Sequence, residues 1–486
     1  MKQLMILTAL LLLIPLAQAY NQQDILNAQK VTTHLELSQD IELVKKGPGY
    51  TVDLLTAELY NFPQDDTTQR ILKRQTEPKS EKKDDMLKFR WPSPNPKLNI
   101  KVTSTVETRN EFNPLKEKIT YPIRDQLDRG YDNFLKPTQF IDFLDPAIKT
   151  KAKELATEED DLYIIVSRIA NWVNKQVKYD LNTKTEKATQ TASWVMQNKQ
   201  GVCDEITGLF IALLRAADIP ARFVSGISYT PTIEGEKWGS HGWAEVFYPE
   251  RGWVPYDITF GQYGRIDPGH IKFKETLDPR DKPIRFEWYG RDAGLEAKDI
   301  KIKADIQETE GRADAVISIL TRIAKKETGI GSYNLVTAEI TNLKDHYITK
   351  EMILANVEEM EIHGSKKKLA VLKPNEKQKL YWRVKVKEEI DPEYTYDVPI
   401  EVYTQWGDVG TTKFRAKKDY PVYSLDDIVK IQDAIEAGEY VIQAKKYTPP
   451  KETETKKTTQ TIKKEPPKEK TGIIQKIIKW LKQIFR

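Results

Sequence analysis

Cysteine and histidine are scarce in this chain of 486 residues, which has one cysteine, Cys203, and five histidines. A single thiol excludes an internal disulfide. It also disfavours a structural zinc site, because such a site needs about four nitrogen or sulfur ligands close together. We therefore expect no metal and no cofactor. The lone thiol of Cys203 is either inert or chemically active.

Long hydrophobic runs are also absent, apart from one at the N-terminus. Residues 1–19 begin with Lys2, continue as an apolar run from Leu4 to Leu16 and close with Ala17-Gln18-Ala19. A charged start, a short apolar core and a small-x-small end are typical of a secretory signal peptide. The run is too short to cross a bilayer of about 30 Å comfortably, which favours a cleaved signal over a retained anchor. We therefore expect an exported protein.

The C-terminal end is basic. Residues 444–486 have 13 Lys and Arg against 4 Asp and Glu, whereas the rest of the mature chain is mildly acidic. Residues 444–470 are too polar to bury a core and are predicted to be a disordered basic tether. Residues 471–486 place apolar side chains at helical spacing between basic ones, which predicts an amphipathic helix lying on a membrane surface. Its predicted membrane contacts are Ile473, Ile477, Trp480, Leu481 and Phe485, with Lys476, Lys479 and Lys482.

Two alternatives to membrane binding were considered for this segment. A helix docked on the body of the protein or on a partner has the same pattern. Nucleic acid is not expected as a partner, because the body carries no matching basic excess.

The segment between the ends changes character twice. Residues 20–145 show short alternating runs between breakers and predict a β-rich N-terminal domain. Residues 150–295 combine helical spacing with strands and predict an α+β domain. Residues 298–420 return to alternation, which predicts an immunoglobulin-like β-sandwich. Residues 421–443 predict a short helix capped by Ser424.

The thiol lies where a buried helix is predicted to begin. The apolar residues from Ile206 to Leu214 follow helical spacing, and Cys203 precedes them by three positions. The unpaired N–H groups and the dipole of a helix N-terminus stabilise a thiolate, which is the nucleophilic form. We therefore expect Cys203 to be an activated nucleophile.

A histidine and an aspartate occupy two predicted strands downstream. Residues 240–247 and 252–257 alternate, and a short turn between them predicts an antiparallel hairpin. This hairpin would bring His241 and Asp257 to one face, where the carboxylate orients the imidazole and supports its protonated form. Each residue taken alone has an ordinary structural explanation, but the combination favours catalysis.

These residues resemble the transglutaminase-like superfamily. The resemblance is carried by Gly201-Val-Cys203, Ala216–Gly226, His241-Gly-Trp-Ala-Glu245 and Gly252–Asp257, with Cys, His and Asp in that order. It covers about residues 155–260 and implies a papain-like core, with Cys203 as nucleophile, His241 as general base and acid, and Asp257 as the orienting carboxylate. The expected fold is therefore an α+β papain-like transglutaminase core between the two β domains.

Two further sets of residues are candidates for the site. The first oxyanion donor would be the backbone N–H of Cys203. The resemblance places the second donor upstream, among Tyr179, Trp194 and Gln200, which the sequence does not rank. The aromatic residues Tyr229, Trp238 and Trp243 are candidates for lining a substrate groove, although an ordinary loop at residues 228–239 is equally compatible.

Three functions fit this constellation. The preferred one is an exported, membrane-tethered thiol enzyme that hydrolyses amide bonds in proteins or peptides, with transglutaminase-type acyl transfer to an amine as a variant. The alternative is a non-catalytic envelope scaffold or binding protein that retains the core. Metal-dependent hydrolysis through His241 and Glu245 is the weakest, because the other histidines are distant in sequence.

Overall fold

The computed structural model describes residues 22–110, 114–181, 189–230 and 238–440. The predicted signal at residues 1–19 and the predicted tether and helix at residues 444–486 lie outside the described residues. Strands predominate, and most of the helical residues lie in the middle of the chain. Within the described ranges, none of the helices is both long enough and apolar enough to cross a membrane.

The N-terminal region is a short helix followed by antiparallel strands. Its elements are α1 (Gln22–Leu26), β1 (Lys30–Lys45), β2 (Thr51–Leu59), β3 (Gln69–Glu77), β4 (Glu81–Lys83), β5 (Met86–Pro92) and β6 (Lys97–Arg109). Two 3₁₀ helices follow, at Arg124–Gln126 and Arg129–Leu135.

The central region is mixed α and β. Its elements are α2 (Pro146–Ala156), α3 (Leu162–Gln176), β7 (Lys178–Tyr179), α4 (Ala192–Asn198), β8 (Gln200–Gly201), α5 (Cys203–Ala216), β9 (Ala221–Tyr229), β10 (Trp238–Tyr248), β11 (Gly252–Asp257), β12 (Gln262–Tyr263) and β13 (His270–Thr276).

The C-terminal region consists of strands and one final helix. Its elements are β14 (Ile284–Arg291), β15 (Ala293–Ala297), β16 (Lys301–Glu310), β17 (Ile317–Ile323), β18 (Glu327–Thr328), β19 (Tyr333–Asn342), β20 (Ile348–Leu354), β21 (Met360–His363), β22 (Lys367–Leu372), β23 (Lys377–Val386), β24 (Tyr396–Tyr403), β25 (Val409–Ala416) and α6 (Leu425–Glu436). Helix α6 begins after Ser424, whose hydroxyl accepts a hydrogen bond from the N–H of Asp427 at 3.2 Å.

The N-terminal strands form two sheets around one core. The first sheet has the order β15-β1-β6-β3, with β16 also paired to β1, and the second has the order β14-β2-β5-β4. Every second residue of β1 from Val31 to Leu43 is buried, because successive side chains of a strand point to opposite faces. The buried members of both sheets pack in a single hydrophobic cluster.

Strands β14, β15 and β16 belong to these N-terminal sheets. Strand β1 pairs with β15 over residues 41–45 and with β16 over residues 30–38, and β14 pairs with β2. The sequence boundaries at 295 and 298 divided these strands between the central and C-terminal domains. Alternation identifies a strand but not its partner, so pairings across more than 200 residues leave no local signal.

The central region stacks helices on an antiparallel sheet of order β12-β11-β10-β9-β13. Helix α5 is the centre of this arrangement, since its residues from Leu209 to Leu214 are fully buried. A helix that is apolar all round is one that the fold surrounds. The first turn of α5, which carries Cys203, is thereby held in place against the sheet.

The C-terminal strands β17–β25 form two sheets that share one hydrophobic core. The loop 404–408 between β24 and β25 reaches the central region. There the Gln405 side-chain amide donates to the carbonyls of Phe260 at 2.8 Å and Gly261 at 3.2 Å. The segment after Asp257 is therefore bonded to a loop of the C-terminal sheets.

Candidate active site

Cys203 is the first residue of α5, and a buried glutamate fixes the backbone that leads into it. The Glu205 carboxylate accepts hydrogen bonds from the N–H of Val202 and from the N–H of Gln190, both at 2.9 Å. Glu205 is itself buried. A carboxylate at this position satisfies a donor that the start of the helix leaves unpaired. The first turn of α5, which carries the thiol, is therefore fixed by hydrogen bonds to Glu205.

Strand β10 approaches this turn closely at Gly242. The backbone N–H of Gly242 donates toward the sulfur of Cys203, and the Thr207 hydroxyl donates to the Gly242 carbonyl at 3.2 Å. A Cβ atom at position 242 would lie 2.3 Å from a Phe223 ring carbon and 2.7 Å from Oδ1 of Asp204. Only glycine permits this approach. It places the backbone beside His241 in hydrogen-bond contact with the thiol.

The histidine and the first aspartate form a buried pair. His241 Nε2 lies 2.7 Å from Asp257 Oδ2, and both side chains are almost completely buried. Strand β11 pairs with β10 up to Tyr256, so Asp257 stands directly after the last paired position. The ring of Phe260 stacks on the imidazole with 4.7 Å between centroids. Because Nε2 is bonded to the carboxylate, Nδ1 is the nitrogen available to the thiol.

A second histidine, His270, completes the cluster and was missed by the sequence analysis. Its Nε2 lies 3.1 Å from the same Oδ2 of Asp257, and its Nδ1 lies 3.4 Å from Oδ1 of Asp267. Gln262 donates to Asp267, and the N–H of Gly269 donates to it at 2.7 Å. His270 follows Asp257 by thirteen residues on a different strand, and a histidine at the start of a strand carries no distinctive signal.

In this cluster, buried charges of opposite sign stabilise one another. Burial alone would lower the pKa of His270, but Asp267 and Asp257 outweigh it and raise that pKa to about 10. Burial alone would raise the pKa of Asp257, but His241 and His270 hold it well below its usual range. At neutral pH, Asp257 is therefore an anion and His270 a cation.

The thiol is less activated than the sequence predicts. Burial raises the pKa of Cys203, and Asp204, whose Oδ1 lies 3.5 Å from the sulfur, raises it further. The N–H of Gly242 acts in the opposite direction. The expectation that the helix N-terminus yields a stabilised thiolate is therefore corrected: burial and an adjacent anion favour the neutral thiol. A nucleophile at this position needs a base to take its proton.

The three oxyanion candidates lie on different elements. Strand β7 pairs with β8, which sets Tyr179 opposite Gly201, two residues before the thiol. Partial burial and the charges of Cys203, Asp204 and Asp257 raise the pKa of Tyr179 to about 12, so its hydroxyl stays protonated and is able to donate a hydrogen bond. Gln200 lies on β8 beside Gly201, whereas Trp194 packs against the central hydrophobic core. Tyr179 and Gln200 therefore lie on the strand pair that leads into Cys203, and Trp194 does not.

The three aromatic residues predicted to line a substrate groove lie in different places. Tyr229 lines a cavity of about 230 Å³ together with Phe260 and Asp267. Trp238 is buried in the N-terminal hydrophobic cluster, edge-on to the Tyr229 ring. Trp243 is 1% exposed, with its ring 5.3 Å from that of His270. Trp243 therefore corrects the groove prediction, because a side chain without exposed surface supports the site from behind.

His241, Asp257 and His270 are also of types that bind metal ions, and their ligand atoms lie within 4.8 Å of one another. Both imidazoles, however, bond the carboxylate directly through Nε2. Glu245, the carboxylate considered with His241 for metal-dependent hydrolysis, is instead paired with Lys272 at 2.8 Å and with Arg222. The arrangement suits a thiol with an oriented imidazole, which is able to attack an acyl carbon.

Comparisons with known proteins give a family match that includes these residues. Residues 149–258 match the family model of the Transglutaminase-like superfamily. The Uncharacterized protein YebA of Bacillus subtilis is 29% identical over 157 residues, which are 29% of this chain and 20% of that protein. A protein-glutamine gamma-glutamyltransferase of Pseudomonas aeruginosa is 26% identical over 122 residues, which are 24% of this chain and 18% of that protein.

The chain thus spans about a fifth of the length of each of these two relatives. Among solved structures, a candidate cysteine protease from Cytophaga hutchinsonii aligns with 58% of this chain and 94% of its own, at 18% identity and a TM-score of 0.41. The family match covers α5, β9, β10 and β11 and includes Cys203, His241 and Asp257. The chain therefore carries a transglutaminase-like domain at residues 149–258.

Proposed function

We propose that this protein is an exported thiol enzyme, tethered to a membrane surface, that acts on amide bonds of proteins or peptides through a thioester at Cys203. The observation that carries the proposal is the 2.7 Å contact between His241 Nε2 and Asp257, next to the Gly242 N–H that contacts the thiol. An imidazole oriented by a buried carboxylate is the element that a neutral thiol requires.

The reaction would proceed in two halves. His241 takes the Cys203 proton at Nδ1 while the sulfur attacks the amide carbon, and the oxyanion is stabilised by the backbone N–H of Cys203 and the hydroxyl of Tyr179. The imidazolium then returns the proton to the leaving amine as the carbon–nitrogen bond breaks, leaving a thioester. Water, deprotonated by His241, attacks the thioester, and the thiol is regenerated with release of a carboxylic acid.

Hydrolysis is the preferred outcome, and transfer of the acyl group to an amine is the second. The Pseudomonas relative has the name of a γ-glutamyltransferase, which supports transfer, but the match covers only 24% of this chain. The two outcomes share every step up to the thioester. They differ only in whether water or a primary amine attacks it.

Export and membrane binding rest on the two chain ends. Residues 1–19 support export, and residues 471–486 support binding to an anionic membrane surface. We also propose that the two-sheet C-terminal region is immunoglobulin-like and acts as a spacer or substrate-binding module. Flotation of the full chain with vesicles containing an anionic lipid, compared with a chain ending at residue 443, tests the tether. Equal flotation of both chains contradicts it.

The activity is tested with the full chain, a protein mixture and a labelled primary amine. Mass spectrometry is expected to find cut peptides with wild type and none with Cys203→Ala. Incorporated label in place of cuts identifies transfer. Products that survive Cys203→Ala, or no products from wild type, contradict a thiol mechanism. A parallel reaction with a chelator is expected to be unaffected, and inhibition would favour a metal-dependent reaction instead.

A non-catalytic binding protein is the second candidate, and the raised pKa of Cys203 favours it. Alkylation by iodoacetamide at pH 7 separates the two. A catalytic site predicts faster alkylation of Cys203 than of N-acetylcysteine, with a fall of about 100-fold in His241→Gln, because a positioned base contributes at least that factor. Alkylation at or below the rate of N-acetylcysteine, unchanged in His241→Gln, identifies an inert thiol.

A further inference from the structure

Lys350 occupies a position in β20 where the strand pattern calls for an apolar side chain. The alternate residues Ile348, Met352 and Leu354 belong to the hydrophobic core of the C-terminal sheets. Lys350 lies on the same face of the strand and is only 6% exposed. Lysine is almost never buried to this extent without a partner of opposite charge.

The partner that the structure provides is an aromatic ring. The Lys350 ammonium lies 3.8 Å from the centroid of the Trp406 ring, and the guanidinium of Arg265 lies 4.6 Å from the same centroid. Within the described ranges, no carboxylate lies at ion-pair distance from the Lys350 ammonium, and the nearby acid Asp408 raises its pKa without forming an ion pair. Burial lowers the pKa of Lys350 well below its usual value, and Arg265 lowers it further. The ring alone therefore does not compensate for the burial of the Lys350 ammonium.

These cations line one cavity. Its volume is about 550 Å³, within the range of small-molecule sites, and Arg265, Arg312, Lys350 and Trp406 contribute to its wall. Two acids also line it. The Asp408 carboxylate accepts a hydrogen bond from the Thr404 hydroxyl at 2.7 Å. The Asp314 carboxylate lies 3.5 Å from the Lys344 ammonium. Both acids therefore have other partners, although Asp408 also raises the pKa of Lys350 and of Arg265. Within the described residues, no hydrogen bond reaches the buried ammonium.

We propose that this cavity binds a small oxyanion, a carboxylate or a phosphate, between Lys350 and Arg265. The planar guanidinium presents paired N–H donors and the ammonium a compact charge, which together match an oxygen-bearing anion. Such an anion supplies the charge that burial of Lys350 requires. The site is formed by residues of the central region and the C-terminal sheets, and Cys203, His241 and Asp257 do not line it.

The test is thermal unfolding of the full chain at pH 7 in sodium phosphate and in sodium succinate, each compared with sodium chloride at equal ionic strength. We expect a saturable rise in Tm with one or both oxyanions, because a ligand that binds only the folded state stabilises it. The oxyanion that produces the rise identifies the class. No rise beyond chloride with either oxyanion overturns the proposal.

Two variants separate binding in the cavity from general salt effects, which phosphate also exerts. Lys350→Met keeps the length of the side chain and is expected to lose the rise. Lys325→Met is the matched control, since Lys325 also lies over an aromatic ring, that of Tyr423 at 4.8 Å, but does not line the cavity. A rise that persists in Lys350→Met, or that disappears in Lys325→Met as well, contradicts the site.

A measurement on wild type tests the proposal even if the Lys350→Met variant fails to fold. Lysines are acetylated briefly with acetic anhydride and mapped by mass spectrometry, with and without the oxyanion. We expect at least threefold protection of Lys350 and none of Lys325. Equal labelling of Lys350 in both conditions overturns the proposal.

Discussion

The cluster around Asp257 and the cluster around Trp406 both bury charges, but they do so in opposite ways. At Asp257, two histidines contact one carboxylate oxygen at 2.7 and 3.1 Å, and Asp267 supports the outer histidine. At Trp406, Lys350 and Arg265 meet one aromatic ring, and the described carboxylates leave the ammonium without an ion pair. In the first cluster the buried His270 contacts carboxylates directly, whereas in the second the buried Lys350 ammonium contacts none of the described ones.

This difference in the pairing of buried charges indicates which role suits each cluster. A completed buried pair fixes geometry, because breaking it leaves an uncompensated charge. It therefore suits the orientation of a catalytic imidazole. An incomplete cluster lowers the stability of the free protein and regains it when a ligand supplies the missing charge. It therefore suits binding.

The largest expected effect is that of Asp257→Asn, which removes the charge while keeping the shape. Turnover is expected to fall about 10⁴-fold, because the imidazole loses its orientation and its counter-charge. The free energy of unfolding is expected to fall by about 3–5 kcal/mol, since His270 remains buried and charged. Peptide cleavage and chemical denaturation measure the two effects.

Asp204→Asn is the control for this variant, because Asp204 is also a carboxylate near the sulfur. It is expected to lower the pKa of Cys203 rather than to abolish turnover, since Asp204 raises that pKa. Equal losses of turnover in both variants would show that any nearby negative charge suffices.

Gly242→Ala is expected to have the next largest effect. A Cβ atom 2.3 Å from the Phe223 ring and 2.7 Å from Oδ1 of Asp204 must push β10 away from β9 and from α5. A displacement of about 1 Å costs about 100-fold in turnover, and the overpacking costs about 1–3 kcal/mol of stability. Gly239→Ala on the same strand is the matched control, since a Cβ there has no atom within 4 Å. Turnover by Gly242→Ala at the level of Gly239→Ala contradicts the close approach.

His270→Gln is expected to destabilise the protein by about 3 kcal/mol near pH 6.5, with a dependence on pH. The folded-state pKa of His270 is raised from 6.5 to about 10. Its stabilising contribution is therefore complete below pH 6.5 and disappears as the pH rises through 10. The difference between wild type and variant should narrow from pH 7 to pH 10 in denaturant titrations. A constant difference means that His270 is not charged in the folded protein.

Lys350→Met is expected to give the smallest effect on stability, and it is expected to stabilise the protein where the other variants destabilise it. The variant should be more stable than ligand-free wild type by about 1 kcal/mol at pH 7, because it removes an uncompensated buried cation. The folded-state pKa of Lys350 is lowered, so the unfolded chain binds more protons and wild type regains stability as the pH rises toward 10.5. A variant less stable than wild type at pH 7 contradicts the comparison between the two clusters.

Patterns within short segments made much of this site predictable. The apolar spacing after Cys203 predicted the buried helix α5, and alternation around His241 and Asp257 predicted the hairpin of β10 and β11. These features depend on residues close in sequence, for which periodicity is informative. The family resemblance added the order of the three residues.

Features that depend on distant contacts were not predictable. His270 reaches Asp257 only because β13 pairs with β9 on the far side of the sheet from β11. The burial of Trp243 and the effect of Asp204 on the thiol likewise depend on packing that a single sequence does not encode locally. Lys350 interrupts an apolar pattern, and its significance appears only when Trp406 and the cavity are placed beside it.

The loop 404–408 has a practical consequence for anyone seeking a minimal version of this protein. The family match ends at residue 258, yet His270, Asp267 and the Gln405 amide that holds the Phe260 and Gly261 carbonyls all lie beyond it. A fragment trimmed to the recognised domain would keep Cys203, His241 and Asp257 and lose the residues that contact Asp257 and its neighbours from outside that domain. A fragment that keeps these contacts therefore includes the loop 404–408 as well as the recognised domain.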